Sequence, residues 1–130
     1  MTQRGRVVVP EHWKAFFNET EVPAAVLVGD DLRVSGHSGE YPDGSVSPDV
    51  TTQIRQTFTS LGETLAEAGF GWADVVELTS YHVGLQDQAA PLLTVAAEFL
   101  PRPFPAWTAV GVTELFVPGA VVEIALRVRR

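Results

Sequence analysis

The tightest constraint on the fold lies near the C-terminus. Over residues 120–128, Val122, Ile124, Leu126 and Val128 alternate with Val121, Glu123, Ala125 and Arg127, a period of two that makes one continuous apolar stripe only on a β-strand. Such a strand needs a second layer to cover it, and the chain supplies helices of the right kind. Between residues 50 and 68, Val50, Ile54, Phe58, Leu61, Leu65 and Ala68 recur at steps of three or four and fall on one helical face. Ser47 reads as the N-cap, with Pro48 at the first helical position and Gly69 as the C-cap. A second helix is expected over residues 87–100, with Leu92, Val95, Ala96 and Phe99 facing inward. Pro101 and Pro103 force its end, and Pro91 is tolerable only near its first turn.

The rest of the chain fills in a sheet. Residues 6–9 read as a short strand stopped by Pro10, and residues 12–21 as a loop or short helix. Residues 24–28 and 32–35 are β-prone runs separated by Gly29, Asp30 and Asp31, the composition of a tight hairpin turn. The hairpin ends in Ser35, Gly36 and His37, and residues 38–48 form a Gly- and Pro-containing loop. In the strand over residues 75–83, Val76, Leu78, Ser80 and His82 share one face; Val75, Glu77, Thr79, Tyr81 and Val83 share the other. A strand over residues 106–112 reaches the final strand through a turn at 116–119.

The order is hairpin, helix, strand, helix, two strands. It predicts an α+β fold, a mixed sheet with two helices on one face. The opposite sheet face then has nothing in the chain to cover it, and self-association is the economical answer. A single domain over residues 1–130 is expected, with residues 1–21 packing on it as an N-terminal extension. The length of 130 residues supports one core burying roughly two-thirds of the unfolded surface.

Composition removes several function classes. There is no cysteine, hence no disulfide framework, thiolate nucleophile or cysteine-based metal site. His12, His37 and His82 lack the spacing of a metal motif, so neither metal nor organic cofactor is expected. The net charge of −7 argues against nucleic acid as a partner, because that binding depends on neutralising phosphates. Neither a signal-peptide h-region nor a membrane-length apolar run is present, so a cytoplasmic location away from membranes is expected.

Several short motifs occur together in order. Gly29-Asp30 is followed by a strand ending V-S-G at 34–36; then come Q-x-R-Q at 53–56, E-A-G at 67–69 and D-V-V at 74–76. The series closes with P-A-W-T-A-V at 105–110 and G-A-V-V-E-I at 119–124. Over residues 22–130 the chain resembles the RidA (YjgF) family, small reactive-intermediate deaminases with a chorismate-mutase-like α+β fold. The resemblance implies a homotrimer with small-molecule sites in clefts between subunits. It also implies hydrolysis of 2-imino or enamine acids to 2-keto acids and ammonia.

In that family an arginine in the P-A-R-S block clamps the substrate carboxylate, and a glutamate in the V-E-I strand positions or activates water. Allowing one extra residue in the preceding turn, the glutamate corresponds to Glu123; the arginine position is Trp107. The resemblance places Val22, Ser35, Gly36, Leu92, Thr108 and Ala109 around the substrate with Trp107. It puts His37, where the family has glutamine, close enough to shuttle a proton. His82 reads better as a satisfied structural histidine.

Loss of the arginine removes a bidentate fork whose charged hydrogen bonds contribute about 1.5–3 kcal/mol each. Trp offers one neutral donor and an apolar plate. The expected activity is therefore hydrolysis or deamination of a C=N or enamine-type metabolite other than a simple 2-imino acid. Two further readings stand beside it: the same scaffold performing another acid/base step, such as cyclisation or dehydration, and a non-catalytic ligand-binding trimer.

Overall fold

A computed structural model describes residues 4–130. Its strands are β1 (Arg6–Val8), β2 (Ala25–Val28), β3 (Asp31–Ser38), β4 (Val75–His82), β5 (Ala106–Gly111) and β6 (Val122–Arg129). Its helices are α1 (Lys14–Thr20), α2 (Val50–Ala68) and α3 (Leu85–Phe99), with short 3-10 turns at Glu11–Trp13 and Trp72–Asp74. The strands form one mixed sheet in the order β1-β2-β3-β6-β4-β5, in which only β4 and β5 run parallel. This is an α+β architecture with one sheet and three helices.

The apolar stripe lies at the centre of this sheet, because β6 is hydrogen-bonded to β3 on one side and β4 on the other. Val122, Ile124, Leu126 and Val128 are all buried, together with Leu32, Val34 and Leu78 from the neighbouring strands. They pack in one cluster with Ile54, Phe58, Leu61 and Leu65 of α2 and Leu92, Val95 and Ala96 of α3. Each large aliphatic or aromatic side chain so buried contributes about 1.5–3 kcal/mol. Gly69 ends α2 in the left-handed region, φ 84°, its N–H bonding back to Leu65 and Ala66.

Four local expectations are corrected. The N-cap of α2 is Asp49, whose carboxylate accepts from the Thr52 N–H at 2.9 Å; Ser47, two residues earlier, instead accepts from the Asp49 N–H. Helix α3 begins at Leu85, so Pro91 falls in its second turn. The carbonyl that loses a partner there belongs to Asp87, an exposed residue that water can serve. A bulge between Val75 and Glu77 turns Val76 out of the buried face, leaving it 54% exposed.

The fourth correction matters most for function. Strand β3 does not stop at Ser35 but continues to Ser38 past a bulge between Val34 and His37, re-pairing His37 with Ile124 and Ser38 with Glu123. A bulge inserts residues into one strand and re-aims the side chains beyond it. Past this one, His37 shares the helix-covered face with Ile124.

The segment of residues 11–20 packs against that same place. Trp13 is buried, and its ring lies 4.2 Å from the His37 ring. No helix among the described residues is long and apolar enough to cross a membrane.

Candidate active site

Glu123 is carried by β6 on the face opposite the apolar stripe, with Ser38 and Tyr81 as its cross-strand partners. Gly36, in the β3 bulge, lies directly beneath its carboxylate: a Cβ at residue 36 would collide with Glu123 Oε2. The missing side chain at residue 36 leaves the room in which the Glu123 carboxylate lies. Ser35, beside it, donates its hydroxyl to the Pro23 carbonyl at 2.8 Å, tying the bulge to the segment that enters β2.

The carboxylate is half-buried, and among the described residues it makes no hydrogen bond or ion pair. Burial pushes its pKa above the ordinary carboxylate value. Glu40 is raised too, by burial first and then by the negative charges of Glu19 and Glu123, against the stabilising hydrogen bond of Ser38. Two carboxyl groups are thus held near one another with their charged forms disfavoured. That condition suits a group which must take up and return a proton.

Glu40 also reaches a cavity of about 210 Å³ lined by, among others, His12, Phe16, Ser38, Tyr41 and Glu63. Glu40 escaped the sequence reading because residues 38–48 look like a plain loop. Its signal was position: Glu40 follows two residues after Ser38, the cross-strand partner of Glu123.

His37 is not part of this arrangement. It is fully buried on the opposite face, where Nδ1 donates to the Ser35 carbonyl at 2.7 Å and Nε2 accepts from the Thr64 hydroxyl at 2.8 Å. Burial pushes its pKa down to about 3, so it is neutral at physiological pH. The bulge thus places His37 on the face away from Glu123.

Trp107 is also separated from Glu123. Register pairs it with Leu78, which belongs to the helix-covered face, and its Nε1 donates to the buried Ser80 hydroxyl at 2.9 Å. Phe104 meets its ring edge-to-face at 5.5 Å. From Ser80 the contacts continue to His82 Nε2 at 2.8 Å, and from His82 Nδ1 to Gln88 Oε1 at 2.7 Å. His82 is thus a satisfied interior histidine whose pKa burial lowers, against the opposing effect of Gln88.

Leu92, on α3, is buried in the core. Val22 is 43% exposed and its carbonyl accepts from the Trp13 indole. Thr108 and Ala109 are exposed on the edge strand β5, Thr108 in register with Thr79 on the open face. Of the expected site, the structure brings together Ser35, Gly36 and Glu123; it places His37, Leu92 and Trp107 on the other side of the sheet. Among the described residues no group of three or more His, Asp or Glu is arranged to hold a metal ion.

A mixed sheet layered on one face by helices, with a half-buried carboxylate on the bare face, defines a small α+β protein built around its central strand. The model of the family described as Endoribonuclease L-PSP matches residues 10–129, and the chain belongs to that family, the RidA/YjgF proteins. The RutC family protein YjgH of Escherichia coli strain K12 is 40% identical over 109 residues, 83% of each chain. A solved structure of protein YjgH superposes with a TM-score of 0.88 at 38% identity, covering 97% of this chain and 96% of the other. RidA from an Antarctic Psychrobacter superposes with a TM-score of 0.78 at 27% identity, over 100% and 97% of the two chains.

Proposed function

We propose that the protein is a RidA-like enzyme hydrolysing the C=N bond of an imine, or of the iminium formed from an enamine, in a small metabolite that carries no α-carboxylate. In this reading it works as a homotrimer, each subunit covering part of a neighbour's open sheet face and closing the substrate cleft, with Thr108 on the same face. The observation that carries the proposal is the unpartnered, half-buried Glu123 carboxylate over Gly36, its pKa raised by burial.

The chemistry needs one group that changes sides. Glu123 removes a proton from water as the oxygen bonds to the iminium carbon and the C=N π pair moves to nitrogen. The protonated carboxyl then returns that proton to the nitrogen of the carbinolamine. The C–N bond breaks as the Glu123 carboxylate takes the hydroxyl proton and C=O forms, releasing ammonia. A carboxyl with a raised pKa serves both halves.

Charge selects the substrate. Glu19, Glu40 and Glu123 repel a carboxylate and attract an iminium cation, and Trp107 offers no compensating fork. RNA cleavage, which the family description names, fits poorly with a net charge of −7. The Trp107–Ser80 hydrogen bond favours a second reading, a ligand-binding trimer without turnover, since it commits the indole to the interior.

The test is ammonia release above the spontaneous rate from aliphatic and aromatic imines generated in situ by an amine oxidase. Glu123→Gln is expected to lose at least about a hundredfold in kcat/KM. Undiminished turnover in that variant would overturn the mechanism, and absence of turnover in the wild type would favour the ligand-binding reading.

A further inference from the structure

We infer that Gln53 and Gln88 are positioning residues for Glu123, acting through the backbone of Val121, and that Trp107 anchors the far end of the hydrogen-bond chain that runs from Gln88. The inference rests on the proposed role of Glu123 and concerns how that carboxylate is held.

Val121 stands two residues before Glu123, just ahead of the paired part of β6. Its N–H donates to Gln53 Oε1 at 3.0 Å. Its carbonyl accepts from Gln88 Nε2 and from the Val83 N–H, each at 3.0 Å. Gln53 projects from α2 and Gln88 from α3, and each is only 2% exposed. Side-chain amides from two helices thus grip both polar groups of one residue at the head of the central strand.

Each amide has further work. Gln53 Nε2 donates to the carbonyls of Gly119 at 3.0 Å and Ser47 at 2.8 Å. Gln88 Nε2 donates also to the Val83 carbonyl at 2.9 Å. The turn of residues 117–121 is therefore tied to the loop before α2 and to the end of β4. Because the Glu123 carboxylate itself has no hydrogen-bond partner among the described residues and lies over Gly36, its place depends on where β6 carries its backbone.

The polarity of the Gln88 chain is determined throughout. Both Gln88 N–H groups are used by carbonyls, so Oε1 must accept, and His82 Nδ1 carries the proton. Neutral His82 then presents Nε2 as an acceptor to the Ser80 hydroxyl, whose oxygen accepts from Trp107 Nε1. No other assignment of protons matches every donor to an acceptor. Trp107, at the family's arginine position, therefore closes the far end of a chain whose direction the two carbonyls at Gln88 set.

The experiment is a carbon-13 NMR titration of protein labelled at the glutamate carboxyl carbon, with the Glu123 signal assigned by its loss in Glu123→Gln. The near-isosteric variants Gln53→Met and Gln88→Met are expected to move the Glu123 midpoint toward the ordinary glutamate value. On the imine substrates they should lower kcat about tenfold to a hundredfold with KM within about twofold, the signature of misplacement. Trp107→Phe should move both readouts the same way by less. Phe70→Leu, a core change on the far side of the sheet, should lower stability without moving the titration.

An unshifted Glu123 titration in folded Gln53→Met and Gln88→Met, or an equal shift in Phe70→Leu, would overturn the inference. If both methionine variants fail to fold, the Trp107→Phe titration decides it alone, an unchanged midpoint counting against. The titration needs no substrate, so it stands even if Glu123→Gln retains turnover and the proposed function falls.

Discussion

The two faces of one sheet hold buried polar groups in opposite states. On the helix-covered face every such group is matched: His37 lies between Ser35 and Thr64, and His82 between Ser80 and Gln88. Among the described residues no fully buried side-chain nitrogen or oxygen lacks a partner. On the open face, Glu123 is half-buried and unmatched, its pKa raised by burial. A saturated network gains rigidity and has nothing left to offer a ligand, whereas an unsatisfied carboxylate retains a desolvation cost that a proton, water or cation can relieve. Three histidines invite an acid/base reading, but each has a hydrogen-bond or ion-pair partner, and the Glu123 carboxylate has none among the described residues.

The largest effect expected from breaking this contrast is at Gly36. Gly36→Ala would push the Glu123 carboxylate off its seat, abolishing turnover to the same extent as Glu123→Gln while changing denaturant stability little, because the group that must yield is the free end of a side chain. A Gly36→Ala enzyme with wild-type turnover would mean that the open face is not where the reaction occurs.

Next comes pH, which the helix-covered face should dominate. The folded pKa of His37, about 3, lies below its unfolded value of about 6.5, so the unfolded chain binds the proton first. Its contribution is complete above about pH 6.5 and is lost as pH falls; at pH 5 the loss is about 2 kcal/mol, from 1.36 kcal/mol per pH unit. His12, lowered by burial against the pull of Glu63, and His82 act in the same direction. Glu40 and Glu123 act oppositely, losing stability as pH rises past the ordinary carboxylate value. Denaturant midpoints at pH 7 and pH 5 measure the balance, and His37→Gln should flatten the slope.

The smallest effect is at Trp107. Trp107→Phe keeps a large ring beside Phe104 but removes the donor to Ser80, costing about 1 kcal/mol and a few degrees in Tm. Nitrogen-15 shifts of His82 would sharpen the contrast by showing whether the Nδ1–H tautomer survives.

Much of the frame was legible in the chain. The alternation through Val122, Ile124, Leu126 and Val128, the α2 stripe from Ile54 to Ala68 and the Gly69 cap are short-range patterns whose physics is local, and they appear as read; only Val50, in the first turn, is left exposed. The ordered motifs pointed to the family whose model matches residues 10–129. The candidate site was legible only in part: Glu123 and Gly36 could be named, but their contact could not.

Tertiary structure decided the rest, because side-chain direction depends on register and register is a relation between strands. One bulge between Val34 and His37 sends His37 under α2 and brings Gly36 beneath Glu123. The pairings of Trp107 with Leu78, and of Leu78 with Leu126, place the indole on the side that Glu123 avoids. The sequence by itself determined which segments are strand or helix and what family they compose. Which polar groups became saturated and which was left bare followed only from packing, since a hydrogen-bond partner 27 or 68 residues away leaves no mark on local pattern.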